Sequence, residues 1–319
     1  MPPSWYPRRW SARCGVDKIE RAVDDIRRKW APDGRLAVFE VSIAPKGGAQ
    51  DSVNVGAQHA APLLNGVTTV RDARDALRRL ANDAGLVDGI RLLVLEARDD
   101  WLRVRAPDGY IAWLNAGYVA TGPADWAEDW AERATARALS ADILTTDGRR
   151  RLPTGARVAL RRGVVELADG QRGAVAAGNV RREQELRVEA RHLALPELAQ
   201  KWYAGAPYLW GGRTEWGIDC SGLVQAVYGA RGITLPRDSD QQFGQGEEIV
   251  MASDGAGYEA GDLLFFAERG RVSHVALWAG AGRIVHSALS RGGVGGDNLF
   301  GPEPRMVRLR ECLVGARRL

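Results

Sequence analysis

The sequence predicts an α+β chain in which small β-barrel modules precede a larger mixed domain. Three observations carry that prediction. Between about residues 90 and 182, short strand-like runs are punctuated by turn residues. From about residue 185 the pattern changes, with helical runs first and strands later. Gly (38) and Trp (11) are plentiful, which suits small β-rich units with many turns. At 319 residues the chain is too long for one ordinary core, so two or three domains are expected.

Taken in order, residues 1–34 form an N-terminal helical segment. Ile19, Val23, Ile26 and Trp30 recur at helical spacing within 17–30, and APDG then makes a turn. RLAVFEVSIA alternates like a strand, and GGAQDSVNVG reads as a loop. TTVRDARDALRRLANDAG is an amphipathic helix with Val70, Ala73, Leu77 and Leu80 on one face, ending at Gly85. This α/β segment merges into a first barrel module, together 35–122. The module contributes IRLLVLEA, WLRVRA and GYIAWL, the last two joined by the turn Pro107–Asp108–Gly109. PADWAEDWAERATARAL, 123–139, is a helical linker. Residues 140–184 give a second barrel, with strands in ADILTT, ARVALRR, VVELADG and QRGAVAAGNV. The last domain, 185–319, begins with a helix in LPELAQKWYAG.

The net charge of +4 is small for this length and no dense Lys/Arg run exists, so nucleic acid is not an expected partner. Three cysteines, Cys14, Cys220 and Cys312, argue against a disulfide framework. No run of about 18 apolar residues is present, so no membrane span is expected. The N-terminal stretch has charge but no apolar core of a signal peptide. A cytoplasmic location is therefore expected, with export as the alternative if the true start lies upstream. Nothing in the sequence specifies an oligomeric state.

The stretch GIDCSGLVQAVYGARG places Cys220 between Asp219 and Ser221, just before the apolar run Leu223, Val224, Ala226, Val227. A cysteine in the first turn of a helix lies near unpaired backbone N–H groups and the positive end of the dipole. Both favour a thiolate and lower its pKa below ~8.5. The same N–H groups can hold an oxyanion during acyl transfer. An ordinary small residue at a helix start is the plain alternative. Two of the four histidines decide between them. In RVSHVALWAGAGRIVHSAL, a hairpin centred on Ala279–Ala281 sets His274 opposite His286, with Ala276 beside them. Their Cβ atoms would then be roughly 4.5–5.5 Å apart. A thiol needs a base, and the base needs a third group to hold its tautomer. Cys220, His274 and His286 fill those roles. A zinc site of one Cys and two His is the rival, but it lacks the close-spaced ligand pairs of structural zinc. No metal or other cofactor is expected.

YLWGGRTEWGIDCSGLVQAVY, LPRDSDQQ, GDLLFF, SHVALW and IVHSA together resemble, in order and spacing, the NlpC-type cell-wall cysteine peptidases. The resemblance covers about 200–290. It implies a papain-like α+β domain that hydrolyses amides of murein stem peptides, with Cys220 as nucleophile, His274 as base and His286 as third member. Tyr208 matches the tyrosine thought to assist the oxyanion site. WLRVRAPDGYIAWLNAGYV resembles half of a bacterial SH3-like domain. SH3-like modules ahead of such a peptidase resemble the γ-D-glutamyl-L-diamino-acid endopeptidases. That likeness implies a short stem peptide with a free N-terminal L-Ala as substrate. By position it implies Asp238 and Ser239 at the amine, with Trp210, Asp219 and Ser221 lining the cleft. Tyr110, or nearby Tyr118, would come from the first module. An acid that the subgroup takes from that module has Ile90 in its place here, with Asp88 as a substitute.

Overall fold

The computed structural model describes residues 51–55, 90–98, 101–115, 119–122, 124–250 and 255–319. The helices expected within 17–30 and 68–85, the strand in RLAVFEVSIA, Asp88 and Tyr118 lie outside them.

Five antiparallel strands make the first sheet: β1 (Asp51–Val55), β2 (Arg91–Arg98), β3 (Trp101–Arg105), β4 (Ile111–Asn115) and β5 (Val119–Gly122), in the order β4-β3-β2-β1-β5. Leu92, Val94, Leu102, Val104 and Ala106 form its core, with Ile90 and Tyr110 packed against it. β1 falls in the stretch expected to be a loop. It is a strand because it is paired on both sides, Val53 with Leu92 of β2 and with Thr121 of β5. The β3–β4 turn closes with Ala106 N–H on Tyr110 O at 2.8 Å, and Gly109 takes the left-handed conformation (φ 82°) that the turn demands.

Helix α1 (Ala124–Arg133) buries Trp130 and Ala127. It ends six residues before the expected end of the linker. Ala136 and Ala138 instead join Ala141 and Ile143, already expected in a strand, in one strand with these four side chains buried. It is β6 (Ala136–Thr145), the first strand of a second five-stranded sheet. β7 (Gly148–Leu152), β8 (Arg157–Arg161), β9 (Val164–Glu166) and β10 (Arg172–Arg182) follow, in the order β10-β9-β8-β6-β7. β10 also pairs with β6, so the sheet curls on itself around Ile143, Leu152, Val158 and Val165. β7, whose sequence GRRRL gave no strand expectation, is an edge strand; long charged side chains on an edge discourage pairing with other chains.

The last unit opens with α2 (Glu183–His192) and α3 (Leu195–Tyr203), then the hairpin β11 (Arg213–Thr214) and β12 (Gly217–Ile218). Helix α4 (Cys220–Ala230) follows at once, and a short α5 (Ser239–Gln242) comes next. The main sheet has six antiparallel strands: β13 (Glu247–Ile249), β14 (Leu263–Glu268), β15 (Arg271–Gly280), β16 (Arg283–Ala288), β17 (Gly293–Asn298) and β18 (Leu313–Arg318). Their order is β13-β18-β14-β15-β16-β17, and α6 (Pro304–Glu311) precedes β18. One face presents Val275, Leu277 and Val285 to Leu223, Val224 and Val227 of α4. The other buries Ala276, Trp278, Ile284 and Leu299. The apolar spacing read around Cys220 is thus the face that docks α4 on the sheet; Leu223→Ala there would cost about 2–5 kcal/mol.

Both N-terminal sheets touch the β11–β12 hairpin. Asp108, in the β3–β4 turn, accepts from Arg213 Nη2 at 2.9 Å. Thr154 N–H donates to Glu215 at 2.8 Å, and the Arg151 guanidinium lies 5.4 Å from the Trp216 ring centre. Glu183 at the head of α2 pairs with Arg137 and Arg157 of the second sheet at 2.8 and 3.3 Å.

Candidate active site

Cys220 opens α4, and its neighbours hold that helix start rigidly. Asp219 is the N-cap, accepting from Gly222 N–H at 2.7 Å and, through its other oxygen, from Gly211 N–H at 2.7 Å. Arg237 grips both carboxylate oxygens at 3.0 and 2.6 Å and also donates to Ser221 Oγ at 2.9 Å. Gly222 must be glycine, because a Cβ there would meet Gly212 O at 2.4 Å. The side chains of Asp219 and Ser221, expected along the cleft, are instead buried and committed to this network. Capping explains the difference: the Gly222 and Gly211 N–H groups and Arg237 occupy the Asp219 oxygens, while Ser221 Oγ accepts from Arg237 and donates to Asp219.

The histidines sit on β15 and β16, in a register other than the one expected. Trp278 pairs with Ile284 and Leu277 with Val285, so the turn is Ala281–Gly282 and the pairing is offset by two residues. Gly280, Ala281 and Gly282 all have positive φ (85°, 50° and 74°), the twist of a tight hairpin turn with a bulge beside it. His274 and His286 are therefore diagonal rather than directly opposite. Their rings still meet, with His274 Nε2 to His286 Nδ1 at 2.8 Å. The β15–β16 pairing stops at Leu277, and beyond it the backbone N–H of Val275 comes close enough to the Cys220 thiol to favour its ionised form. This places the sulfur beside the residue that follows His274. His286 continues the line, with Nε2 to Asp297 Oδ2 of β17 at 3.1 Å. Asp297 in turn accepts from Arg291 and Arg305, each at 2.7 Å.

Electrostatics here oppose the expectation of a ready thiolate. Burial and the Asp219 carboxylate push the Cys220 thiol up to about 12, against the opposing pull of the Val275 and Ser221 N–H groups and Arg237. Burial and the neighbouring His286 hold His274 well below the usual 6.5. The resting pair is a neutral thiol beside a neutral imidazole. Among the described residues, no three His, Cys, Asp or Glu side chains converge as a metal-ligand set.

Residues 205–309 match the NlpC/P60 family. The chain carries an NlpC/P60 domain. Over 90 residues it is 42% identical to a γ-D-glutamyl-L-lysine dipeptidyl-peptidase of Bacillus cereus, a match covering 27% of this chain and 26% of that protein. The bifunctional muramidase/DL-endopeptidase CwlT of Bacillus subtilis is 43% identical over 89 residues, 27% of this chain and 26% of that protein. The chain thus spans about a quarter of the length of the curated relatives it matches. A solved NlpC/P60 family protein of Bacillus cereus shares the fold with a TM-score of 0.59 at 24% identity, over 73% of this chain and 80% of that one. An NlpC/P60 endopeptidase of Photobacterium damselae gives 0.51 at 13% identity, over 92% and 75%.

Around Cys220 the remaining expected residues distribute as follows. Tyr208 is half-buried and bridges to Ile218, two residues before Cys220. Trp210 is exposed. Asp238 caps α5 and is half-buried, and burial raises its carboxyl above the ordinary range. Ser239 is buried in α5, which is tied to α4 by Gln242 Nε2 donating to Ser221 O at 3.1 Å. Tyr110 packs on the core of the first sheet, two residues after Asp108. Four residues that the sequence reading missed hold the site together: Asp108, Arg213, Arg237 and Asp297. Arg237 stood inside the quoted LPRDS block, and Asp108 inside the DGY turn. Asp297 sat in GGVGGDN, which carries no apolar period.

Proposed function

We propose that this protein is a cysteine peptidase that hydrolyses the γ-D-glutamyl–diamino-acid bond of murein stem peptides. We further propose that it takes free peptides with an unblocked N-terminal L-Ala during cell-wall recycling. One observation carries the reaction class: a buried thiol at a helix start, with the backbone N–H of Val275 close to it and, next in the chain, His274, whose imidazole is tied to His286. Nδ1 of His274 takes the thiol proton as sulfur attacks the γ-carbonyl of D-glutamate. First-turn N–H groups of α4, with Tyr208, hold the oxyanion. His274 then returns the proton to the leaving amine, and water releases the thioester. Because both partners rest neutral, the proton moves only as the new bond forms.

The relatives named γ-D-glutamyl-L-lysine dipeptidyl-peptidases support the bond assignment. The choice of short, free peptides is supported by the first sheet, read as an SH3-like module. Its turn reaches α4 itself, since Asp108 accepts from Gln225 Nε2 at 3.0 Å. Arg213, which Asp108 holds, also feels the charge of Arg237, next to Asp238. A wall of this kind beside the nucleophile suits a chain end better than a strand of intact murein. Asp238 would select the ammonium by charge and hydrogen bonds.

The test is mass spectrometry of digests of L-Ala-γ-D-Glu-diaminopimelate, its lysine analogue, their N-acetylated forms and whole murein. Release of L-Ala-γ-D-Glu from the free tripeptide, lost in Cys220→Ala, is the expected result. Full activity in Cys220→Ala would end the mechanism. Undiminished cleavage of the acetylated peptide would end the role given to Asp238.

A further inference from the structure

Three side chains in series lie behind the nucleophile, and the third appears in no part of the proposal above. Resting on the peptidase reading, we infer that Asp297 is a positioning residue that fixes which nitrogen of His274 is the base, acting through His286.

The argument is proton bookkeeping along the line. Asp297 is buried, and its Oδ1 is saturated by Arg291 and Arg305, so the carboxylate stays ionised and can only accept. Its Oδ2 faces His286 Nε2, so that nitrogen carries the hydrogen. In a neutral His286, Nδ1 is then the acceptor. The nitrogen at 2.8 Å from it, His274 Nε2, must therefore be the donor. A neutral His274 with its hydrogen on Nε2 has its lone pair on Nδ1, the nitrogen not occupied by His286. The alternative, with both histidines reversed, would put a hydrogen on Nδ1 of His274 and leave no base. It would also set the His286 Nε2 lone pair against a carboxylate, so Asp297 excludes it. When His274 takes up the thiol proton, a cation forms one ring away from this fixed anion, which favours the transfer.

The strand is built to allow this. Arg291 approaches over β17 at Gly295, where a Cβ would lie 2.1 Å from its Nε. A side chain there would push away one of the two guanidiniums that keep Asp297 charged.

The primary test needs no activity. In full-length Cys220→Ala carrying ¹⁵N-histidine, long-range ¹H–¹⁵N correlation spectra report the ring tautomers. His59→Gln and His192→Gln remove the other two histidine signals. The expected pattern is Nε2–H on both His274 and His286. A proton on Nδ1 of neutral His274 would overturn the inference, whatever the substrate proves to be. In Asp297→Asn, whose amide can serve either tautomer, the His274 signals should shift toward a mixture. With Cys220 intact, kcat of Asp297→Asn should fall about 10–100-fold with KM little changed, the size found when a metal-bound histidine loses its outer hydrogen-bond partner. Asp297→Glu, which restores an acceptor anion, should recover part of it. An unaltered tautomer and an unaltered kcat in Asp297→Asn would refute the role. Absence of peptide cleavage by the parent protein would instead remove the peptidase reading and leave the tautomer result standing.

Discussion

Two networks flank Cys220, and each is built from a buried carboxylate held by arginine. On the helix side, Asp219 is gripped by Arg237 and lies next to the thiol in sequence. On the sheet side, Asp297 is gripped by Arg291 and Arg305, with two imidazoles between it and the sulfur. The same charge acts in opposite directions. Asp219 opposes ionisation of the thiol, whereas Asp297 favours a proton arriving on His274. The charge that each anion faces decides the sign: a forming thiolate on one side, a forming imidazolium on the other. The helix-side anion is structural, capping α4; the sheet-side anion is aligned with the path of the proton.

The largest expected effect isolates the sheet side. His274→Gln removes the base and should lower kcat about 10²–10⁴-fold, read from initial rates on the free tripeptide. Next, Arg237→Gln leaves Asp219 buried without its cation, which should destabilise the protein by about 3–5 kcal/mol in urea unfolding. Stability near that of the parent would mean the helix-side network is not the anchor described. A smaller, chemical effect should follow from Asp219→Asn. Asparagine still caps α4, but the charge that raises the thiol is gone. Alkylation by iodoacetamide, slow at pH 7 and still climbing past ~8.5 in the parent, should become several-fold faster at neutral pH. An unchanged rate would assign the raised thiol to burial alone. His274 adds a stability term with a definite sign. Its folded pKa lies below 6.5, so the unfolded chain binds the proton first as pH drops. That contribution is whole above 6.5 and is lost as pH falls from there toward the depressed folded value, measurable in Tm against pH. Smallest is Asp240→Asn, which breaks an exposed pair with Arg271 and should change stability by less than about 1 kcal/mol.

The helix side was the more legible in sequence. Capping residues and the spacing of Leu223, Val224 and Val227 are local signals, and α4 begins where they place it. The hairpin was legible as a hairpin, but its register was not. Three consecutive residues of positive φ, one of them Ala281, move the turn off the symmetric centre of AGAG. A diagonal contact then replaced the expected direct one, and long imidazoles tolerate that change. Asp297 was hidden for a non-local reason. β17 is rich in glycine because Arg291 and residue 206 crowd its backbone, and glycine erases the alternation by which strands are read. β1 was hidden similarly, since GGAQDSVNVG begins with a loop signal and its partners lie about 40 and 70 residues away. The first sheet reaches the site through Asp108, whose partners are over a hundred residues downstream, beyond any local pattern.

The short β11–β12 hairpin, four residues of which are Arg213, Thr214, Glu215 and Trp216, has a further consequence. Its cation is answered by the first sheet, while its carboxylate and its indole are answered by the second. A shortened protein starting at Glu183 would strand all three in water two to five residues ahead of Ile218, where the backbone turns toward Cys220. Grafting this unit behind foreign modules would therefore alter the approach to Cys220 rather than merely relocate it.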